Sequence, residues 1–356
     1  MKKLLLILFI FISSITLIGC VQGGNNNNNE NENGNNNNNQ ITPDEDEPKV
    51  QDLTFKYTMH EIVLKENPNT EVFEEYFYFG YYPQREIYDT ELLKALNLIN
   101  DFNERGFIEY NDMEFAKVTV VNNHIYAEYD EKVNEDNKDQ IFKSGTGYEV
   151  GATHYFLVEP LCWKVCSNKD GVLTLLTENI FDTHIYSSAT ETKVINDQVI
   201  YPSNYEYSDI RAWLSNEFIN ICFNEEEKAL LLDTTLKNKA NQYLIPETPK
   251  DKDTVDKVYL LSYQEVVDSK LGYGLSGIGK TYFDRMAAAT DYARAKGAIR
   301  HIVQNTNSSN WMIRTSNVHD RTHIGFGGYD GYFDEKMFYL DAPNMGVRVA
   351  CKIKFE

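Results

Sequence analysis

The chain has 356 residues, 25% of them charged, and a formal net charge of −20. A body this acidic repels phosphate backbones, which excludes nucleic acid as a partner, and it excludes electrostatic docking onto anionic lipid as well. Its 24 Tyr and 19 Phe suit a β-rich domain with aromatic surface.

At the N-terminus, Lys2 and Lys3 form a basic start and residues 4–12 an apolar run. Leu17-Ile18-Gly19-Cys20 then makes a small-residue cleavage pattern ending in cysteine. The apolar run is short for a bilayer-spanning helix and has no stop-transfer pattern behind it, so residues 1–19 read as a signal peptide. The segment resembles a bacterial lipoprotein signal with its lipobox. That resemblance implies lipidation of Cys20, a membrane held through this anchor, and an extracytoplasmic place in the bacterial cell envelope. Residues 25–39 are Asn except for Glu30, Glu32 and Gly34, and an acidic run from Asp44 to Glu47 follows. Such a stretch has almost nothing to bury and cannot offset the entropy of ordering, so residues 20–52 read as a disordered Asn-rich tether.

From Leu53 onward, aromatic and β-branched content predicts strands at 74–82 and 117–121. Between them Asp89 and Thr90 predict the cap of a helix carrying Leu92, Leu93, Leu96, Ile99 and Phe102 and stopping at Gly106. Residues 133–147 read as a polar surface loop. Strands are expected at 155–158, 162–166 and 173–177, the last two joined by a turn at Asp170-Gly171. Ser208 predicts the start of a helix with Ile210, Trp213, Leu214, Phe218 and Ile221 as its buried stripe, and Asn224 the start of the next. A short strand at 258–262, a helix over 284–296 ended by Gly297, and a half-buried strand at 346–355 complete the pattern. Helices and strands mix without βαβ rhythm, which makes the fold class α+β.

Cys162 and Cys166, four apart on an alternating strand, lie on one face roughly 13 Å apart, beyond the reach of a disulfide. Any bridges must therefore join this strand to Cys222 or Cys351, and four reduced buried thiols are an equal alternative.

Gly274 to Thr281 fits the P-loop pattern residue for residue, and ALLLD at 229–233 mimics a Walker B strand. No buried strand feeds the glycine-rich loop, and the signal peptide places the chain where nucleotide triphosphate is scarce, so no nucleotide partner is expected. No G-x-S-x-G elbow or H-E-x-x-H pair occurs, and His319 and His323 read as a surface pair. The acidic run at 329–335 lacks EF-hand spacing, so a hairpin turn is expected there. No catalytic residues, metal ligands or cofactors are expected.

Several phrases carry a resemblance: FGYYPQ at 79–84, YFLVEPLCWKV at 155–165, SDIRAWLSNEF at 208–218, DKVYLLS at 256–262, TDYARAKG at 290–297, WMIR at 311–314 and GVR at 346–348. In this order they resemble the bacterial lipoproteins that carry domain of unknown function 6273. The closing pair, W-x-x-R and G-V-R, is similar to the formylglycine-generating-enzyme branch of the C-type-lectin-like fold. The resemblance implies a single lectin-like domain over 53–356 whose N- and C-terminal strands pair, with 53–150 either part of it or an elaboration. Enzymes of that branch use two copper-binding cysteines near the terminal phrase, whereas Cys351 stands alone here, and one thiolate cannot build a two-sulfur site. Binding modules of the fold present ligand from the interval between the two phrases, which nominates Asn317, His319, Arg321, His323, Tyr329 and Tyr332. Trp163, Trp213, Trp311, Arg314 and Arg348 are assigned structural roles. The leading expectation is a lipid-anchored surface protein whose lectin-like domain binds a glycan or an extracellular protein without catalysis. An enzyme related to formylglycine-generating oxidases is the alternative, and an envelope scaffold the third.

Overall fold

The computed structural model describes residues 49–67, 71–120, 151–238, 251–268, 285–303, 306–316, 323–328, 330–331 and 333–355, all within the unit Pro48–Glu356. The leader with Cys20, the tether through residue 48, the 133–147 loop and the 274–281 stretch lie outside the described residues. Residues 49–52, expected to close the tether, are instead seated on the domain. There Gln51 Nε2 donates to the Glu86 carbonyl (2.9 Å) and Tyr88 N donates to Gln51 Oε1 (3.0 Å).

β1 (Ile62–Glu66) pairs with β2 (Phe73–Glu86), in which Tyr76 and Tyr78 face one side and Phe77 and Phe79 the other. Asp89 accepts from Glu91 N and Leu92 N to start α1 (Thr90–Leu96). The helix ends well before Gly106. Of its apolar stripe only Leu96 is fully buried, Ile99 packs partly buried against the same cluster, and Leu98 and Phe102 stay exposed, so further turns would bury little. Asn111 and Asp112, both at positive φ, turn β3 (Ile108–Tyr110) back into β4 (Met113–Thr119). The strands expected at 155–158 and 162–166 are one, β5 (Thr153–Lys169), because β2 pairs with it on both sides of Pro160 and absorbs the proline in a register shift around Gly80. Asp170 and Gly171, at φ 52° and 76°, form the expected tight turn into β6 (Val172–Thr177).

After β7 (Asp182–Thr183) and the hairpin β8 (Lys193–Ile195) with β9 (Gln198–Ile200), Ser208 caps α2 (Asp209–Trp213), its Oγ accepting from Arg211 N at 3.3 Å. The helix widens into a π turn over Leu214–Phe218 and continues as α3 (Ile219–Cys222), keeping Trp213, Leu214, Phe218 and Cys222 buried. Asn224 and Glu227 form a reciprocal capping box on α4 (Glu225–Leu230), and Leu231 then bridges to Ile353. β10 (Thr234–Leu236) pairs with β11 (Thr254–Asp256), and β12 (Val258–Tyr259) precedes α5 (Tyr263–Val266), capped by Ser262.

The helix expected over 284–296 is only α6 (Asp291–Ala295). Its alanines favour a helix, but their backbone is already engaged: the Ala287 carbonyl accepts from Ser309 N and the Ala288 carbonyl from Ile180 N, so winding begins where Thr290 caps Ala293 N. β13 (His301–Val303) and β14 (Thr306–Ser308) form a hairpin, and β15 (Trp311–Ser316), β16 (His323–Gly327) and β17 (Phe333–Tyr339) follow. The single strand expected at 346–355 is two, β18 (Gly346–Val347) and β19 (Ala350–Lys354), split where Arg348 turns inward.

Two sheets carry the fold. The larger runs β1-β2-β5-β6-β19-β12, with β4 on the free part of β5 and β3 on β4, and it is antiparallel throughout. The smaller runs β17-β16-β15-β18-β7, with β15 and β18 parallel. Mixed helix with mainly antiparallel sheet makes the domain α+β. The first and last strands share a sheet but do not pair, since β2, β5 and β6 lie between them, and β19 pairs instead with β6 and β12. The main core joins Phe79, Trp163, Phe181, Phe218, Trp311 and Val349.

Candidate functional site

Of the residues nominated for ligand contact, Asn317, His319, Arg321, Tyr329 and Tyr332 lie outside the described residues, and His323 is described only as the first backbone position of β16. The five assigned structural roles are all buried. Trp163 Nε1 donates to the Phe79 carbonyl (2.7 Å) and Trp311 Nε1 to the Arg285 carbonyl (3.1 Å). Trp213 packs on His184 and Phe218, with ring centroids 4.9 and 5.5 Å away. Arg314 donates to Asn238 Oδ1, the Leu260 carbonyl and Glu265, and Arg348 Nε donates to the Thr177 carbonyl (2.7 Å).

The side chains that converge on open space lie elsewhere, in a cleft of about 400 Å³ over the outer, tyrosine face of β2 and β5. Its wall is an aromatic stack. Phe55 and Tyr57 alternate on an extended segment and so reach the same side. Tyr57 stacks on Tyr78 at 4.6 Å and 12°, while Phe55 meets Tyr78 edge-on at 5.2 Å. Tyr57 remains 47% exposed, which leaves aromatic surface facing the cleft. The carboxylate of Asp52 accepts from Thr54 N at 2.9 Å and from the Thr54 hydroxyl, a local Asx turn that aims this segment.

Polar groups line the floor and the far rim. Gln84 Nε2 donates to the Glu159 and Pro160 carbonyls, and Arg85 Nε donates to both Glu159 oxygens at 3.0 and 2.8 Å. Lys65 reaches in from β1, its Nζ donating to Cys162 Sγ at 3.1 Å and lying 4.0 Å from the Tyr76 ring centroid. Burial pushes the Cys162 thiol up despite the neighbouring Lys65, and burial pushes the Tyr78 hydroxyl up too, so both are neutral at physiological pH. Asn179, Thr290 and Asp291 close the opposite side.

That side is fixed from below. Asp182, fully buried, accepts from Tyr82 Oη (2.6 Å), Lys296 Nζ (2.5 Å) and Thr183 N (2.6 Å). Burial alone would lower the Lys296 pKa, but Asp182 and Tyr292 outweigh it and hold the ammonium charged. This pairing ties α6 to β7 and sets the positions of Thr290 and Asp291.

A second hollow, about 680 Å³ beside Tyr81 and Phe223, is lined mostly by charges that satisfy one another. Arg105 pairs with Glu114, Lys228 with Glu225, and buried Glu227 accepts from Gly80 N and contacts His60 Nε2. Among the described residues no group of three or more His, Cys, Asp and Glu is arranged to hold a metal ion, and no helix is long and apolar enough to cross a membrane.

Chemically, the first cleft offers an aromatic face, amide and guanidinium groups and the ammonium groups of Lys56 and Lys65, the equipment of a binding site. None of its lining residues is among those the sequence nominates for ligand contact. The usable signal was the Phe55-x-Tyr57 alternation beside the Tyr76-x-Tyr78 alternation, two aromatic stripes able to stack.

A family model described as Domain of unknown function (DUF6273) matches residues 170–355. Comparison with curated proteins and with solved structures returns no match. In the cleft only Asn179, Thr290 and Asp291 fall inside the matched segment, and the aromatic wall and Lys65 precede it. Through residues 170–355 the chain belongs to the family Domain of unknown function (DUF6273).

Proposed function

We propose that the chain is a lipid-anchored protein of the bacterial cell envelope whose folded domain binds carbohydrate without transforming it. The Tyr57–Tyr78 stack carries this reading. Sugar rings present apolar C–H faces that lie well on an aromatic ring, and the Gln84, Arg85 and Asn179 side chains line the same cleft and can meet hydroxyl edges. Anchoring rests on the lipobox and Cys20, and the lectin-like fold on two observations. The first and last strands of the family segment, β6 and β19, pair along their lengths, and the W-x-x-R and G-V-R phrases meet in the core. On this reading the N-terminal elaboration, with β1 to β4, builds most of the cleft, so its ligand is a property of this chain more than of the family.

The oxidase alternative is disfavoured by Cys351, whose fully buried thiol burial holds protonated. A glycan array and calorimetry on the full chain test the reading. Binding of at least one glycan, weakened about fivefold or more by Tyr57→Ala with the fold intact, is expected, as loss of a stacking aromatic ring costs about 1 kcal/mol or more. A blank array, or binding indifferent to Tyr57→Ala, would refute it.

A further inference from the structure

We infer that the cleft selects an acidic sugar, one bearing a carboxylate, and that Lys65 is the residue that selects it. The inference rests on the carbohydrate reading above and narrows it to a ligand class.

The local charge carries the argument. The chain as a whole stands at −20, yet the lining of this cleft sets Lys56, Lys65 and Arg85 against only Glu159 and Asp291. Both carboxylates are engaged: Glu159 grips Arg85 with two oxygens, and Asp291 accepts from Glu86 N at 3.2 Å. Lys56 leans on Asp52 at 3.7 Å in open solvent. Lys65 is different. Among the described residues no carboxylate lies within ion-pair distance of its Nζ, which touches a neutral thiol at 3.1 Å and rests over the Tyr76 and Tyr78 rings at 4.0 and 5.8 Å. The rings hold the ammonium in place through cation–π attraction, and two of its three N–H groups are left for an incoming acceptor.

That ammonium lines the same cleft as the platform proposed for the sugar, and Tyr78 links the two, stacking on Tyr57 and lying 5.8 Å from Lys65 Nζ. A pyranose lying on Tyr57 would place an exocyclic carboxylate towards Lys65. The one ammonium of Lys65 matches one carboxylate better than a dianionic phosphate, which would face Glu159 and Asp291 with too little compensation.

The test uses the full chain and calorimetry against uronate trisaccharides and sialyllactose, the same sugars with carboxyls reduced to hydroxymethyl groups, and a sugar phosphate. The acidic sugars should bind roughly tenfold or more tighter than their reduced forms, and that advantage should vanish in Lys65→Met and persist in Lys65→Arg. Lys65 sits on an edge strand, so circular dichroism of both variants should match the parent. Equal binding of acidic and reduced sugars, undiminished acidic binding in Lys65→Met, or preference for the sugar phosphate would overturn the carboxylate assignment while leaving carbohydrate binding in place. If no sugar of any kind binds, the carbohydrate reading itself fails, and this assignment with it.

Discussion

The guanidinium carbon of Arg348 lies 5.2 Å from the ring centroid of Trp311, with both side chains buried. Trp311 opens β15 in the smaller sheet, and Arg348 follows β18 in that same sheet. Its Nε nevertheless donates to the carbonyl of Thr177, at the end of β6 in the larger one. Val349 N adds a bond to the Thr177 hydroxyl at 3.1 Å before the chain enters β19. The arginine therefore fastens the two sheets at the place where the chain crosses between them.

Replacing Arg348 separates packing from hydrogen bonding. Arg348→Ala removes the stem, the ring contact and the donor to Thr177, and should cost about 3 kcal/mol in urea unfolding. Arg348→Met keeps most of the volume and should cost about 1–2 kcal/mol, since a buried cation with no carboxylate partner among the described residues has its own desolvation cost to shed. Loss under about 0.5 kcal/mol for the alanine variant would mean that the sheets are held by the surrounding core alone.

Gly80 is required twice over, by its φ of +72° and by its neighbours, because a Cβ there would stand 2.7 Å from both Cys222 Sγ and a Phe223 ring carbon. Gly80→Ala should cost roughly 3 kcal/mol or more. Gly106, at φ +83° with nothing within 4 Å, isolates the backbone contribution, and Gly106→Ala should cost about 1 kcal/mol. Equal losses in thermal melts would show that β2 shifts to admit the methyl group.

Glu74 predicts a pH dependence. Burial alone would raise its pKa, but hydrogen bonds from Asn67 (2.6 Å) and Lys164 (2.6 Å), with the Lys164 charge, hold it below its ordinary 4.5. A carboxylate depressed on folding stabilises fully above its unfolded pKa and loses that contribution as pH falls through the folded value. Glu74→Gln should cost about 2 kcal/mol at pH 7, because Lys164 is left buried without its anion, and the gap to the parent should narrow below pH 4.5. A gap that stays constant down to pH 3, measured by denaturant titration, would contradict the role assigned to Glu74.

What the sequence made legible follows the range of the interactions. The caps at Asp89, Ser208 and Asn224 were readable because each is satisfied within three residues. The Asp170-Gly171 turn was readable for the same reason. The lengths of α1 and α6 and the division of β18 from β19 were not, because distant partners decide them: exposed surface beyond Leu96, Ile180 and Ser309 on the alanine run, and Thr177 on Arg348. The cleft is the extreme case. Tyr57, Lys65, Tyr78, Glu159 and Asp291 come together only once the larger sheet has formed and α6 is pinned by Asp182.

Anchoring is tested at the one residue proposed to carry lipid. Cys20→Ala should abolish incorporation of radiolabelled palmitate in cells and move the chain from the membrane fraction to the soluble one, leaving the cleft unaltered. Continued membrane retention without label would point to a protein contact holding the chain at the surface.

The four remaining cysteines should all be thiols. None is bridged, and Cys162, Cys222 and Cys351 are buried, with only Cys166 partly accessible. Burial pushes Cys166 up to about 11 even beside Lys164 and Arg348, so little reactive thiolate is present at pH 8. Native protein should therefore react slowly with a disulfide reagent such as dithionitrobenzoate, and unfolding in guanidinium should release all four thiols at once. Cys162 lies in the cluster on the tyrosine face of the larger sheet and Cys166 packs against the main core, within which Cys222 and Cys351 are buried. An intact mass lighter by two hydrogens under non-reducing conditions, or fewer than four thiols on unfolding, would place a disulfide where the packing described here leaves none.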